Sequence, residues 1–520
     1  MEDEIEEGNI NDEKKNIDNK QNDKKLKKNI IFNTLYQILT IITPLITAPY
    51  LSRVLQTDGV GVYSYTQSLV TYFTMLASLG TVSYGTRTIA LHRESKKDYS
   101  KSFFEIELLT VISTIIMLAL WLILASIYKD YSIYLYILSF TLLATLFDIS
   151  WLYAGLEKYH YTVTINSIFK LLSVILILTV VKTSDDLWKY ILIQALSTFL
   201  GNLSMWLFLP KTIVRIRIEF KSLFKHLKNT IIYFIPTIAT TIYTVLDKSL
   251  IGILIKGTTE VEENGVVVIK NISDIENGYY EQANKILTLV KTVAFFSING
   301  VMCSRVSYLY GKNDLDGIKK IQKLTLSITS FLSIGALFGV MAIAKTFVPI
   351  FFGDGYDKTI TLLYILCPII FIICVSNVLD NIYYTPFDKK KTSVIFLIIG
   401  SIINLLLNIP LILLYKSIGA AIASVAAELV ISILFFIYSK KHVFSFKEFV
   451  SVIWKKLLSG IIMFVSVFFI EKYLLKNINN YLSLVIQILV GGSIYILLLF
   501  VLRDNSIKEL LNFVKTKKNK

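Results

Sequence analysis

Residues 393–438 read SVIFLIIGSIINLLLNIPLILLYKSIGAAIASVAAELVISILFFIY, and only Lys416 and Glu428 interrupt them with charge. A bilayer core about 30 Å thick is crossed by roughly 20 apolar helical residues. The stretch therefore predicts two membrane-spanning helices, 393–415 and 417–438, meeting at Lys416.

Worked outward, the same reading covers almost the whole chain of 520 residues, which is 54% hydrophobic and 18% charged. Its mean hydropathy is +0.60, outside the range of a soluble domain. About fourteen spans are predicted: 30–51, 60–84, 103–128, 131–155, 162–182, 187–209, 229–253, 279–303, 324–350, 359–384, 393–415, 417–438, 451–471 and 479–502. The fold class is an all-α polytopic membrane protein.

Several function classes fall away on composition. Cys303, Cys367 and Cys374 are odd in number and in no CxxC or metal-ligand spacing, so packing roles are expected. His92, His160, His226 and His442 are scattered at helix ends and in loops, which argues against a metal-dependent active site. No GxGxxG or GxxxxGK[ST] loop follows a strand, so no nucleotide-hydrolysing engine is encoded. The net charge of +15 does not point to nucleic acid, because the basic residues sit in short loops between apolar runs.

Those loops have a pattern. Arg87, Arg93, Lys96, Lys97 and Lys101, then Lys211, Arg215 and Arg217, then Lys319, Lys320 and Lys323, then Lys389, Lys390 and Lys391, and finally Lys440 and Lys441 all fall on one side of the alternating spans. The positive-inside rule makes that side, and both termini, cytoplasmic. The longest loop on the other side, about 254–278, carries Glu260, Glu262, Glu263, Asp274 and Glu276 against Lys256 and Lys270. Tyrosines near predicted span ends, Tyr50, Tyr84 and Tyr190 among them, fit interfacial belts.

A faint internal repeat divides the chain. Gly61-Val62-Tyr63-Ser64-Tyr65-Thr66-Gln67 at the start of the second span echoes Gly278-Tyr279-Tyr280-Glu281-Gln282-Ala283-Asn284 at the start of the eighth. Asp148, Trp151, Glu157 and Lys158 echo Asp380, Tyr383, Asp388 and Lys389. Six spans separate the members of each pair, which predicts two parallel six-helix lobes with a binding site between them, plus two C-terminal helices. The expected division is a disordered charged tail 1–28, an N-lobe with its connector 29–228, a C-lobe 229–440, the last two spans within 441–502, and an amphipathic tail 503–520. In that last segment Ile507, Leu510, Leu511 and Val514 share one side, as in an interfacial helix.

The motifs resemble a known family. Asn33, Gln37, PLITAPYLSRVL at 44–55, GVGVYSYTQSL at 59–69 and Tyr84-Gly85-Thr86-Arg87 are similar to the opening of Wzx-type polysaccharide flippases of the multidrug/oligosaccharidyl-lipid/polysaccharide exporter superfamily. Asp148 to Glu157, Asp247-Lys248 with Ile251-Gly252, and NGYYEQANKI at 277–286 extend the likeness over all but the first 28 residues. One departure is Val301-Met302-Cys303-Ser304-Arg305, where a proline is expected before the arginine. The resemblance implies two six-helix lobes around a central cavity and a non-enzymatic flippase in the cytoplasmic membrane. Its cargo would be an undecaprenyl-pyrophosphate-linked oligosaccharide unit, moved from the inner to the outer face by alternating access. No cofactor is expected apart from a coupling ion, H+ or Na+; the expected partners are membrane lipid and a polysaccharide polymerase. The alternatives are a lipid-linked peptidoglycan-precursor flippase, a cation-coupled drug antiporter of the same superfamily, and a membrane-embedded polysaccharide polymerase. The outer loop, net acidic and without arginine, disfavours the last.

Charges inside spans supply the candidate site. An ionisable residue there costs about 2.5–3.5 kcal/mol on insertion scales, so it needs a partner or a wet cavity. Matched depth pairs Asp247 with Lys285 and Asp148 with Lys170 as registry devices, and puts Glu428 level with Lys291. The cations left over, Lys291, Lys248, Arg87 and Arg53, are the candidates to hold the cargo's pyrophosphate. For Arg53 and Arg87, at helix ends, snorkelling or capping of terminal carbonyls is the competing role.

Overall fold

The computed structural model describes residues 2–214, 216, 220–263, 266–295, 299–440 and 442–510. Its helices are α1 (Glu2–Ser78), α2 (Thr81–His92), α3 (Lys96–Ile127), α4 (Ser132–Leu146), α5 (Ser150–Gly155), α6 (Tyr159–Val180), α7 (Leu187–Met205), α8 (Phe220–Leu254), α9 (Ile272–Phe295), α10 (Asn299–Gly311), α11 (Leu315–Phe352), α12 (Asp357–Leu366), α13 (Pro368–Leu379), α14 (Lys390–Tyr415), α15 (Ser417–Ser439), α16 (Phe446–Tyr473) and α17 (Asn480–Val501). A hairpin of β1 (Thr258–Glu263) and β2 (Val266–Asn271) lies between α8 and α9.

The predicted spans fall mainly on helix among the described residues, with breaks at 79–80 in the second and 147–149 in the fourth. Among the described residues twelve segments are long and apolar enough to cross a membrane, and two places account for the difference from fourteen. Thr34–His92 is one segment by apolarity, but the backbone leaves the helical region at Gln56 (φ 57°, ψ −170°) and so separates the first two predicted spans. The eighth predicted span, divided between α9 and α10, is absent from the twelve. Asp274, Glu276, Glu281, Lys285 and Lys291 make α9 too polar to qualify.

Two expectations change. Residues 2–28, read as disordered, have a helical backbone continuous with the first span; glutamate and lysine are good helix formers, and an existing helix extends without a new nucleus. The loop at 254–278 is not featureless: β1 and β2 pair antiparallel from Thr258 with Asn271 to Glu263 with Val266. The Asn264-Gly265 dipeptide, followed by the β-branched run Val266-Val267-Val268-Ile269, is the hairpin signal. Those two turn residues lie outside the described residues, as do Leu511 and Val514 of the predicted amphipathic tail.

The chain forms two compact units. The first comprises Met1–Thr47, Val70–Lys182 and Asp186–Thr237. Its core joins Ile89, Phe103, Ile106, Trp151 and Tyr153, with α2 packed on α3 and α5, and α4 on α3 and α7. The second comprises Ala48–Leu69, Thr183–Asp185 and Ile238–Lys520. Here α11 is the spine, packed on α13, α16 and α17, and Ile507 of the C-terminal segment packs against the core around Met463 and Tyr495.

Both sequence echoes have structural counterparts. Glu157 and Asp388 each take a left-handed φ, 57° and 56°, and behind them Lys158 N–H donates to Tyr153 C=O at 2.8 Å and Lys389 N–H to Tyr384 C=O at 2.7 Å. This is the same helix-ending bond in both copies. Tyr153 then donates its hydroxyl to Met205 C=O (2.6 Å) and Tyr384 to Phe435 C=O (2.9 Å). At the other echo a Cβ on Gly61 would fall 1.7 Å from the carbonyl oxygen of Asp274, and a Cβ on Gly278 would fall 1.9 Å from that of Thr57. Each glycine thus meets the residue four positions before the other, so the contact maps onto itself when the two segments are exchanged.

Candidate functional site

In α14, Asn404 and Asn408 are spaced four residues apart in an otherwise apolar run, which puts both amides on one face. In α15, Ser424 and Glu428 repeat that spacing. These two polar faces, with α8 and α9, form a buried cluster in the second unit. Asp247 of α8 sits at its centre. Its carboxylate accepts from Asn408 Nδ2 at 2.7 Å, from Ser424 Oγ at 2.5 Å and from the Tyr280 hydroxyl. Asn408 Nδ2 also reaches Asn404 Oδ1 at 3.0 Å. The second oxygen-bearing group, Glu428, accepts from the Tyr243 hydroxyl. Asp247, Glu428, Asn404 and Asn408 are all buried.

The predicted Asp247–Lys285 pair is not made. Among the described residues Asp247 has no cation within ion-pair distance. Lys285 turns instead to Glu281, one helical turn before it on α9, at 3.8 Å, and Glu281 also binds Lys248 and accepts from Ser64 Oγ at 3.0 Å. Equal depth does not fix azimuth, and a carboxylate at i−4 on the same helix intercepts the lysine. Nor, among the described residues, does an ion pair join Asp148 to Lys170. The chain is not helical at 147–149 between α4 and α5, so depth counted along a continuous helix misplaces Asp148, which caps Ser150 N–H at 3.0 Å. The Lys170 ammonium lies 6.0 Å from the Tyr36 ring centre.

The four candidate cations separate by their partners. Arg53 donates to three carbonyls, Pro49 (2.8 Å), Phe351 (3.0 Å) and Ile350 (2.6 Å), and so closes the C-terminus of α11. Lys248 is neutralised by Glu281. Arg87, in the first unit, donates to the Tyr233 hydroxyl. Lys291 makes no hydrogen bond or ion pair among the described residues, and Glu428 is the charge near enough to act on it.

The sequence reading missed Tyr280 and Glu281 as site residues, although both stand in the Gly278 echo, and it missed the Asn404/Asn408 stripe. It also missed a polar chain in the first unit: His226 bridges the Tyr84 hydroxyl (2.8 Å) and Glu105 (2.9 Å), and Ser222 donates to the same carboxylate at 2.5 Å. Among the described residues no three His, Cys, Asp or Glu side chains group as a metal site.

A buried polar cluster among apolar helices, together with the paired echoes, sets the frame for the comparisons with known proteins. The family described as "Polysaccharide biosynthesis protein" matches residues 26–303, more than half of the chain. The chain belongs to the polysaccharide biosynthesis protein family. Among relatives of this family member, a protein of Escherichia coli (strain K12) named "Putative O-antigen transporter" is 26% identical over 425 residues, 80% of this chain and 97% of that one. Its fold matches the inward closed conformation of the lipid II flippase MurJ with a TM-score of 0.66 at 17% identity, over 92% of this chain and 99% of the other. It also matches an inward-facing multidrug resistance MATE family transporter of the MOP superfamily with a TM-score of 0.55 at 12% identity, over 77% and 97%. This member of the polysaccharide biosynthesis protein family is therefore an all-α, multi-pass membrane protein.

Proposed function

We propose that the chain is a flippase that carries an undecaprenyl-pyrophosphate-linked oligosaccharide unit from the inner to the outer face of the membrane by alternating access. The name of the Escherichia coli relative, an O-antigen transporter, supports a saccharide cargo. The observation that carries the reading is Lys291. Lys285 of α9 and Lys248 of α8 both pair with Glu281, whereas Lys291 holds an ammonium without a hydrogen-bonding partner among the described residues. A pyrophosphate carries at least two negative charges, and a fixed cation replaces hydration that lipid cannot supply. Arg87 is the second candidate, because a guanidinium binds phosphate oxygens through parallel hydrogen bonds; Arg53 and Lys248 are already engaged.

The polyprenyl tail has an apolar place to lie. A cavity of about 480 Å3 in the second unit is lined by α9, α11, α16 and α17, with Gly335, Gly339, Gly491 and Gly492 opening its wall. The coupling ion belongs at Asp247. Asn408 Oδ1 is buried there without a hydrogen-bond partner, and with the Asp247 carboxylate and Ser424 hydroxyl it makes the hard oxygen set that Na+ takes, or a proton site on the carboxylate itself.

The test replaces Lys291 with glutamine at equal membrane expression. Lipid-linked intermediates should accumulate, by mass spectrometry, and surface polysaccharide should fall by about tenfold, the loss of one charge-assisted phosphate contact, with Lys291→Arg restoring most of it. Wild-type polysaccharide in both Lys291→Gln and the Lys291→Gln/Arg87→Gln double variant sinks the assignment. Accumulation of a peptidoglycan precursor instead of an oligosaccharide unit overturns the cargo.

A further inference from the structure

A second cavity, of about 420 Å3, lies in the second unit at the end that the loop charges assign to the cytoplasm, away from the Asp247 cluster. Lys319, Lys320 and Lys323 line it from the first turns of α11, Lys440 lines it just past the end of α15, and Phe444 and Glu448 line it at the start of α16. Among the described residues none of the four lysines takes part in an ion pair. Glu448, the carboxylate in the wall, is held by its own helix cap, accepting from Ser445 N–H at 2.8 Å and Ser445 Oγ at 2.9 Å.

Lysines that serve only to orient a membrane protein need no more than to be on the right side of it. Here four of them converge on one concavity against a single carboxylate, and like charges so gathered repel unless an anion joins them. The start of α16 adds its positive helix end to the same space. The floor, Leu326, Val443 and Phe444, is buried and apolar, and the four exposed lysines stand over it. We propose that this cavity binds a phosphate group, presented either on the headgroup of an anionic lipid or on a soluble phosphate ester.

The test uses the purified full chain in detergent. Native mass spectrometry follows phosphatidylglycerol against phosphatidylcholine, and calorimetric titration follows inorganic pyrophosphate. The pocket variant combines Lys319→Gln, Lys320→Gln, Lys323→Gln and Lys440→Gln. A control of equal charge combines Lys96→Gln, Lys97→Gln, Lys225→Gln and Lys228→Gln, all exposed. The wild type should bind at least one of the two probes. The pocket variant should weaken that binding by at least about tenfold while the control stays within about twofold, since charge-assisted contacts are lost only in the former. Phosphatidylglycerol binding alone identifies the lipid headgroup, and pyrophosphate binding identifies the soluble ester. No binding of either probe by the wild type, or an equal loss in both variants, overturns the proposal. Matching melting temperatures without ligand separate lost binding from lost fold.

Discussion

Asp247 is held by three neutral donors, two of them rotatable hydroxyls, with the orphan Asn408 Oδ1 alongside. A carboxylate so placed has hydrogen bonds but no counter-charge, and the cost of burying it falls when a cation or a proton arrives. Asp247→Asn tests this with little change in shape, because the hydroxyls and the Asn408 amide can turn to present acceptors. The melting temperature of the wild type is expected to rise with Na+ at constant ionic strength, or with falling pH, as for any ligand that binds the folded state. Asp247→Asn should lose the Na+ response and show a smaller pH response; responses equal to the wild type's rule out Asp247 as the coupling site. The need for partners was legible in the sequence, since Asp247, Lys248, Lys285, Lys291 and Glu428 all stand in apolar surroundings. The partners themselves were not, because depth along a helix follows from counting, whereas facing direction depends on neighbours the chain meets only on folding. The four-residue spacing of Asn404 and Asn408 did carry facing information.

At the scale of elements, the existence of the long apolar helices was readable and so were the two echoed terminations, whereas helix starts were displaced by nine residues in α8 and α11, and α9 was the least readable. The echo of Glu157-Lys158 in Asp388-Lys389 corresponds to a shared left-handed termination, and such a backbone favours glycine. Asp388 is exposed, and aspartate tolerates that region better than most side chains. Asp388→Gly is accordingly expected to stabilise the protein by about 0.5–1 kcal/mol, and Asp388→Val to destabilise it by about 1–2 kcal/mol. Thermal melting of the two purified variants checks this, and a valine variant as stable as the glycine one would contradict the strain argument. The polarity that marks α9 as a site also lowers its apolarity below that of a lipid-facing helix. The hairpin at Thr258–Asn271 escaped notice because a search for long apolar runs passes over six-residue strands.

For the whole molecule, the loop charges predict both termini on the cytoplasmic side and the β1–β2 hairpin outside. Cysteine substitution at Glu262 should react with an impermeant thiol reagent on intact cells, and substitution at Lys391 should not. The reverse pattern would invert the topology. The native background is low, since Cys367 and Cys374 are buried and Cys303 is half-buried. The reciprocal fit of Gly61 and Gly278 has a consequence for descent. A contact that is unchanged when its two segments trade places is what a half-length chain would have formed with a second copy of itself, and there one codon would have supplied both glycines. In the present chain they are two codons, each able to drift alone, yet each still leaves the space that the other segment's backbone occupies. A mutation that adds a Cβ at either one would disturb the fit of both segments at once.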